Sequence, residues 1–319
     1  MNKDQDIFSF VALADRPCHK KELSKLENLI GVVNSLQPSF LLHVGGNATA
    51  SLAKSEKRLY KIHSFFHRFH CPVIFTPGER EWVDAKDPFA CLELARTLFH
   101  HVSKDFSETL LNFSRQAARN DNQKLVENVR WVHGHVLFLT LHTVGSNNNL
   151  GRGKAFNTDF THRNKANLSW LDAGFSLALE QNLKGIVICT HADLWSSQGN
   201  NSGNGYLQTL QRIRHWIKQF SGSVLVVHGE RDSLLIDQPL TVSPHRTRTI
   251  ENMLRIGVPG GMGQGVAIGV DVRLPGLFSV HMLSSANTPL YPNIRRSAER
   301  TRQLGFPFVE RPAPYVHSG

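Results

Sequence analysis

VIFTPGEREW, Val73 to Trp82, is an apolar run that turns at Pro77-Gly78 and then delivers Glu79, Arg80 and Glu81. A buried strand that stops at a turn and then presents charged groups is how a parallel sheet brings chemistry to its carboxyl edge. The same grammar lies on both sides. IFSFVALAD (7–15) and PSFLLHVGGN (38–47) read as strands ending in Asp15 and in Gly45-Gly46. Between them, KKELSKLENLIGVVNSL (20–36) places Leu23, Leu26, Leu29, Ile30 and Val33 at helical spacing. SEKRLYKIHSFFHRFH (55–70) supplies a second helix. Strand, helix, strand, helix, strand predicts an α/β sheet with parallel neighbours.

Downstream, DPFACLELARTLFHHV (87–102) reads as a helix with Asp87 as N-cap and Pro88 in its first turn. The segment 103–128 is a polar excursion. VRWVHGHVLFLTLHTVGSNNN (129–149) reads as a strand pair, and NLSWLDAGFSLALEQN (167–182) as a helix. GIVICTHADLW (185–195) and GSVLVVHGERDSLLI (222–236) are buried strands with polar ends. TIENMLRIG, GVAIGVDV and LFSVHML look like late antiparallel strands joined by Gly-rich turns. Residues 1–291 are expected to form one domain, and 292–319 an irregular basic C-terminal tail.

The chain has 319 residues, 40% hydrophobic and 19% charged, an ordinary globular balance. No apolar run reaches the roughly 18–20 residues of a membrane span. The first residues lack the pattern of a signal peptide, and the four cysteines form no C-x-x-C pair; both point to a cytoplasmic protein. The net charge of +10 favours anionic partners, a phosphorylated or otherwise anionic small molecule among them. Nucleic acid is a weaker expectation, because no recognised binding module is present.

Five strand ends carry polar blocks: LADRP, HVGGN, TPGERE, THAD and HGERD. Their order resembles the calcineurin-like metallophosphoesterases, whose blocks run Asp-x-His, Gly-Asp, Gly-Asn-His-Glu/Asp, His, and Gly-His-x-His. GEREW and HGERDSLLIDQPL, with TLHTVGSNNN and PGLFS, resemble a bacterial branch of that superfamily. The resemblance runs from Ile7 to about Met282. It implies a four-layer α/β/β/α sandwich of two mixed sheets and a two-metal site that activates water and clamps phosphoryl oxygens.

Several positions depart from that pattern. Asp15 matches the first aspartate and His191 the isolated histidine, so these two are the catalytic candidates. Pro17 stands for the first-block histidine, Gly46 for the aspartate that bridges both metals, Glu79 for the asparagine ligand, and Arg80 for the histidine that contacts phosphate. Glu230 and Asp232 replace the last two histidines. Asp15, Glu79, His191, Glu230 and Asp232 remain candidate ligands for a hard cation. Without a carboxylate at Gly46 the expectation is no metal or one divalent ion, Mn or Mg, rather than two. Arg16, Arg80, Arg231 and Asn147 are candidate anion-binding groups, and the three arginines are expected to pair with the carboxylates around them. The implied function is a divergent phosphoesterase-family protein that binds a phosphorylated or anionic ligand, with metal-dependent hydrolysis weak or lost. An active, carboxylate-rich metal phosphoesterase and a non-catalytic scaffold with a basic surface are the alternatives.

Other motifs carry less. HGH (133–135) invites a zinc reading but has no Cys/His pair to complete it. His67, His70, His100 and His101 are expected to face solvent. GVPGGMGQG (257–265) misses the dinucleotide register and reads as a hairpin loop. VLVVHGERD resembles an α/β-hydrolase acid strand, but the chain has no G-x-S-x-G elbow to accompany it.

Overall fold

In β1 (Ile7–Leu13) both faces are apolar, as a strand covered on both sides requires. Phe8, Phe10 and Ala12 face a second sheet, while Val11 and Leu13 face helices. The computed structural model describes residues 6–14, 23–46, 55–100, 110–116, 125–196, 203–241, 249–261 and 263–285.

The helices that accompany the first three strands are α1 (Leu23–Leu36) and α2 (Ser55–Phe66). β1, β2 (Leu41–His43) and β3 (Val73–Phe75) run parallel. β11 (Gln264–Asp271) and β12 (Phe278–Ser284) complete this sheet antiparallel to β1 and to each other, in the order β12-β11-β1-β2-β3. After the short α3 (Glu79–Trp82) and α4 (Pro88–His100) the chain enters the second sheet. There β6 (Val136–Leu141), β7 (Gly185–Thr190), β8 (Ser223–Arg231) and β10 (Met253–Pro259) are parallel. β4 (Ser114–Arg115), β5 (Val129–His133) and β9 (Leu235–Asp237) add antiparallel edges. α5 (Lys154–Glu180) and α6 (Leu207–Ile217) cover its outer face.

Three apolar clusters follow from this layering. Phe8, Phe10, Phe40, Trp131 and Phe138 fill the space between the sheets. Sheet one packs its other face on α1, α2 and α4, and sheet two packs on α5 and α6. The four-layer sandwich of two mixed sheets is therefore present. Asp87 caps α4 through the Ala90 N–H at 3.1 Å. Cys71, Cys91 and Cys189 are buried free thiols. Among the described residues no helix is long and apolar enough to cross a membrane.

Three expectations need correction. TIENMLRIG forms β10, which lies parallel to β8 because it fills the sheet between β8 and β9. The glycine-rich segment after it is no hairpin: it carries the chain from sheet two to sheet one, with Ala14 bridging Gly260. His100 is buried, with its ring stacked near Phe75, and burial pulls its pKa down to about 3. Glu127 and Asn128, at the end of the polar excursion, are buried. There Glu127 accepts from His142 Nδ1 at 2.7 Å and from Arg96 at 2.8 and 3.0 Å. HGH sits on the β5–β6 turn, with Gly134 and His135 at positive φ, so its pattern belongs to chain reversal.

Phe40 is the keystone of the inter-sheet layer. It stacks on Phe10 at 5.4 Å and meets Trp131 and Phe138 edge-on at 5.3 and 4.9 Å. Phe40→Ala is expected to cost about 3–5 kcal/mol in urea unfolding, with the cooperative transition retained.

Candidate functional site

The parallel strands of both sheets end on one side of the molecule, and two contacts join them there. His191, just after β7, donates its Nδ1–H to the Val44 carbonyl beyond β2 at 2.7 Å. The Gly229 N–H of β8 donates to the His191 carbonyl at 3.0 Å. With Nδ1 donating to a carbonyl, Nε2 is the ring nitrogen left facing the site. That nitrogen stands 3.8 Å from Glu230 Oε1.

The β2 and β3 loops touch through backbone. Gly45 and Gly46 have φ of +69° and +86°, and a Cβ on Gly45 would stand 2.5 Å from the Gly78 nitrogen. Gly78 in turn lies flat beneath the His191 ring, where a Cβ would come within 2.6 Å of three ring atoms. One oxygen of Glu81 fastens the junction: Oε2 accepts the Gly78 N–H at 2.7 Å and the Gly46 N–H at 3.2 Å. The Glu81 residue is only 1% exposed. Through this oxygen it acts on backbone amides.

Glu79 and Glu230 converge over Gly145. A methyl group there would overlap Glu230 Oε1 and stand 2.8 Å from Glu79 Oε2. Glu79 Oε2 is buried without a hydrogen-bond partner. Glu230 holds φ +57°, a strained region for a non-glycine residue, and its side chain is 25% exposed although its backbone faces solvent. Burial pushes its carboxyl above the usual range. His191 and the Asp193 N–H at 3.0 Å oppose that shift, while repulsion from Glu79 and Asp193 reinforces it.

The floor under Gly145 is a left-handed turn. Ser146, Asn147, Asn148 and Asn149 all have φ between 49° and 68°. Such a run costs L-residues roughly 1–2 kcal/mol each, and asparagine tolerates it best. Asn147 is buried and gives both ends of its amide to this purpose. Nδ2 donates to Leu150 and Gly203 carbonyls at 3.2 and 3.0 Å, and Oδ1 accepts the Gly205 N–H at 2.8 Å. Arg163 donates to Asn148, and the Tyr206 hydroxyl accepts the Asn148 N–H at 3.2 Å. Asn147 therefore holds the turn and has no amide left for an anion, which corrects the ligand role expected of it.

The remaining candidates divide. Asp15 and Arg16 lie outside the described residues. Arg80 is exposed, and among the described residues its guanidinium has no ion-pair partner. Arg231 is half-buried and faces Asp193 at 3.8 Å. Asp232 is exposed past the end of β8, outside the Glu79–His191–Glu230 group. Arg231 takes Asp193 as its acceptor, and Glu81 Oε2 takes two backbone amides; the pairing expected of Arg16 with Asp15 lies outside the described residues. Among the described residues no three His, Cys, Asp or Glu side chains converge as a metal-ligating cluster.

Asp193 escaped the sequence reading. Its carboxylate takes Arg255 at 2.9 Å and the Trp195 N–H at 3.0 Å, and His228 Nε2 lies 3.9 Å away. Arg255 also pairs with Asp237 at 2.5 Å. The available signal was its place in THAD, two residues after His191 at a buried strand end.

No protein-family profile matches the chain, and no curated protein does. Solved structures do. The chain is similar to purple acid phosphatase PPD1 from yellow lupin (Lupinus luteus) seeds, with a TM-score of 0.51 and 9% identity over 89% of this chain and 52% of that one. It is similar also to a dimetal phosphatase from Danio rerio, with a TM-score of 0.53 and 9% identity over 87% and 96%. The chain spans about half the length of the lupin phosphatase. At such identities the likeness establishes the fold, which is that of the metallophosphoesterases.

The raised Glu230 carboxyl has a consequence with a definite sign. The native state binds this proton more tightly than the unfolded chain does. Stability is therefore lost as pH climbs from the ordinary 4.5 through the raised value, and stays lower above it. In chelator, Glu230→Gln is expected to unfold at higher urea than the parent near pH 8, the gap closing towards pH 4. Parallel stability curves across that range would exclude the effect.

Proposed function

We propose that the chain is a divergent phosphoesterase-fold protein that binds a phosphorylated or otherwise anionic ligand at the strand ends through at most one hard divalent cation, Mn or Mg, with hydrolysis weak or lost. One observation carries this reading: the buried, unpartnered Glu79 Oε2 meets Glu230 over Gly145, and His191 Nε2 lies 3.8 Å from Glu230. Two crowded carboxylates and an open imidazole nitrogen are costly alone and are relieved by a cation. Oxygen donors with one imidazole suit a hard ion, so Glu79, Glu230 and His191 would hold it, joined by Asp15. Such an ion supplies Lewis-acid polarisation of a phosphoryl oxygen when bound.

The residues of the chain set the limits. Gly46 offers no bridging carboxylate, and its N–H is taken by Glu81. That argues against a second ion. Arg80, exposed at the same strand end, offers a planar guanidinium to phosphate. It gives no proton to a leaving group at neutral pH, where an imidazole in its place would. An anion approaching Glu79 and Glu230 without a cation meets repulsion, so ligand and metal binding are linked. The metal-free alternative draws on Glu81, which ties the β2 and β3 loops together with no ion.

Calorimetry with MnCl2 on dialysed protein, paired with turnover of bis(4-nitrophenyl) phosphate, tests the proposal. The expected result is one equivalent of Mn, with little turnover above the protein-free rate. Glu79→Gln should weaken binding by ~10-fold or more, since even outer-shell partners of a metal are worth ~10–100-fold. Two equivalents, with rapid turnover abolished by Asp15→Ala, would establish an intact two-metal enzyme instead. No saturable Mn binding would leave the metal-free scaffold.

A further inference from the structure

Helix α2 carries a histidine pair that the strand-end site does not use. His63 lies in the last turn of α2 and His67 one residue past its end, an i, i+4 spacing that puts both rings on one side. Their Nε2 atoms face each other at 3.4 Å, with ring centroids 4.6 Å apart and planes at 82°. Two imidazole nitrogens bound at ~2.0–2.1 Å to one tetrahedral ion lie roughly 3.3–3.4 Å apart. The separation is thus the edge of such a polyhedron.

We propose that His63 and His67 form a second, surface metal site for a borderline divalent ion, Cu, Ni or Zn, held by the two Nε2 atoms with water in the remaining positions. Three features favour it. His63 is half-buried and its ring packs edge-on against Phe99 at 5.7 Å, so one ligand is held in place before binding. His67 is exposed, which leaves the pair open to an incoming ion. The pair stands at the carboxyl end of the helix, where the macrodipole attracts positive charge. The pair offers imidazole nitrogens and no carboxylate ligand, which selects against Mg and Ca, ions that need oxygen donors. The two metal sites of the protein would therefore sort ions by hardness: oxygen-seeking ions at the strand ends, imidazole-seeking ions on α2. The competing explanation of the short separation is a hydrogen bond between two neutral rings of complementary tautomers.

Titration of the dialysed full chain with CuCl2 and NiCl2 separates the two. One equivalent should bind at pH 7.5 and weaken as protons compete for the ring nitrogens on acidification. His67→Ala, and independently His63→Ala, should each lower Cu affinity by ~10-fold or more, because chelation by a held pair is lost. His67 is exposed, so thermal melts of His67→Ala should match the parent and exclude unfolding as the cause. Glu79→Gln should leave Cu binding on α2 unchanged, which keeps this test apart from that of the strand-end site. Copper affinity that survives both histidine substitutions, or no saturable Cu or Ni binding, overturns the proposal.

Discussion

One carboxylate oxygen, Glu81 Oε2, accepts a backbone N–H from each of two strand-end loops, at Gly78 and Gly46. Backbone amides buried away from water need acceptors, and an ionised carboxylate is a strong one. The bond sets how close β2 and β3 loops come, and that closeness is possible only because Gly45 and Gly78 lack side chains. Gly78 then forms the plane on which the His191 ring lies. His191 in turn ties sheet two to Val44 of sheet one. The position of Nε2 opposite Glu230 is the last step of this sequence of contacts.

The opposite wall is built by strain. Glu230 takes a left-handed conformation, Glu79 buries an oxygen without a partner, and Ser146 to Asn149 form a left-handed turn beneath both. None of these arrangements lowers the energy locally. They persist because Arg163, Tyr206 and the Gly203–Gly205 backbone hold the turn from outside. Conformational cost is thus concentrated where the strand ends meet.

The layers were legible in the sequence because burial on both faces leaves continuous apolar strands, as in IFSFVAL and GIVICT. Helix starts were legible too, as Asp87 before Pro88 shows. The direction of β10 was not, because MLRIGVP carries no mark of the neighbour it pairs with; only the sheet order makes it parallel to β8. Glu79 and Glu230 stand over Gly145, and His191 Nε2 lies 3.8 Å from Glu230, though the sequence marked only their strand ends. Asn147 misled because an amide that closes a turn and an amide that binds an anion are the same residue in sequence. Glu81 and Asp193 were under-read for a related reason: the Gly46 amide and Arg255 that they hold stand 35 and 62 residues away in the chain.

The left-handed turn also bears on the order in which the molecule assembles. Its four residues disfavour that conformation on their own, and besides the adjacent Val144 and Leu150 the groups that hold it come later in the chain: Arg163 on α5, then Gly203, Gly205 and Tyr206. The turn therefore cannot form until α5 and the start of α6 have docked on sheet two. Loop closure over some sixty residues, Asn147 to Gly205 being 58 apart, precedes any gain from it. A chain stalled during synthesis before Tyr206 would lack the groups that hold this floor, together with Glu230 itself and strands β8 to β12.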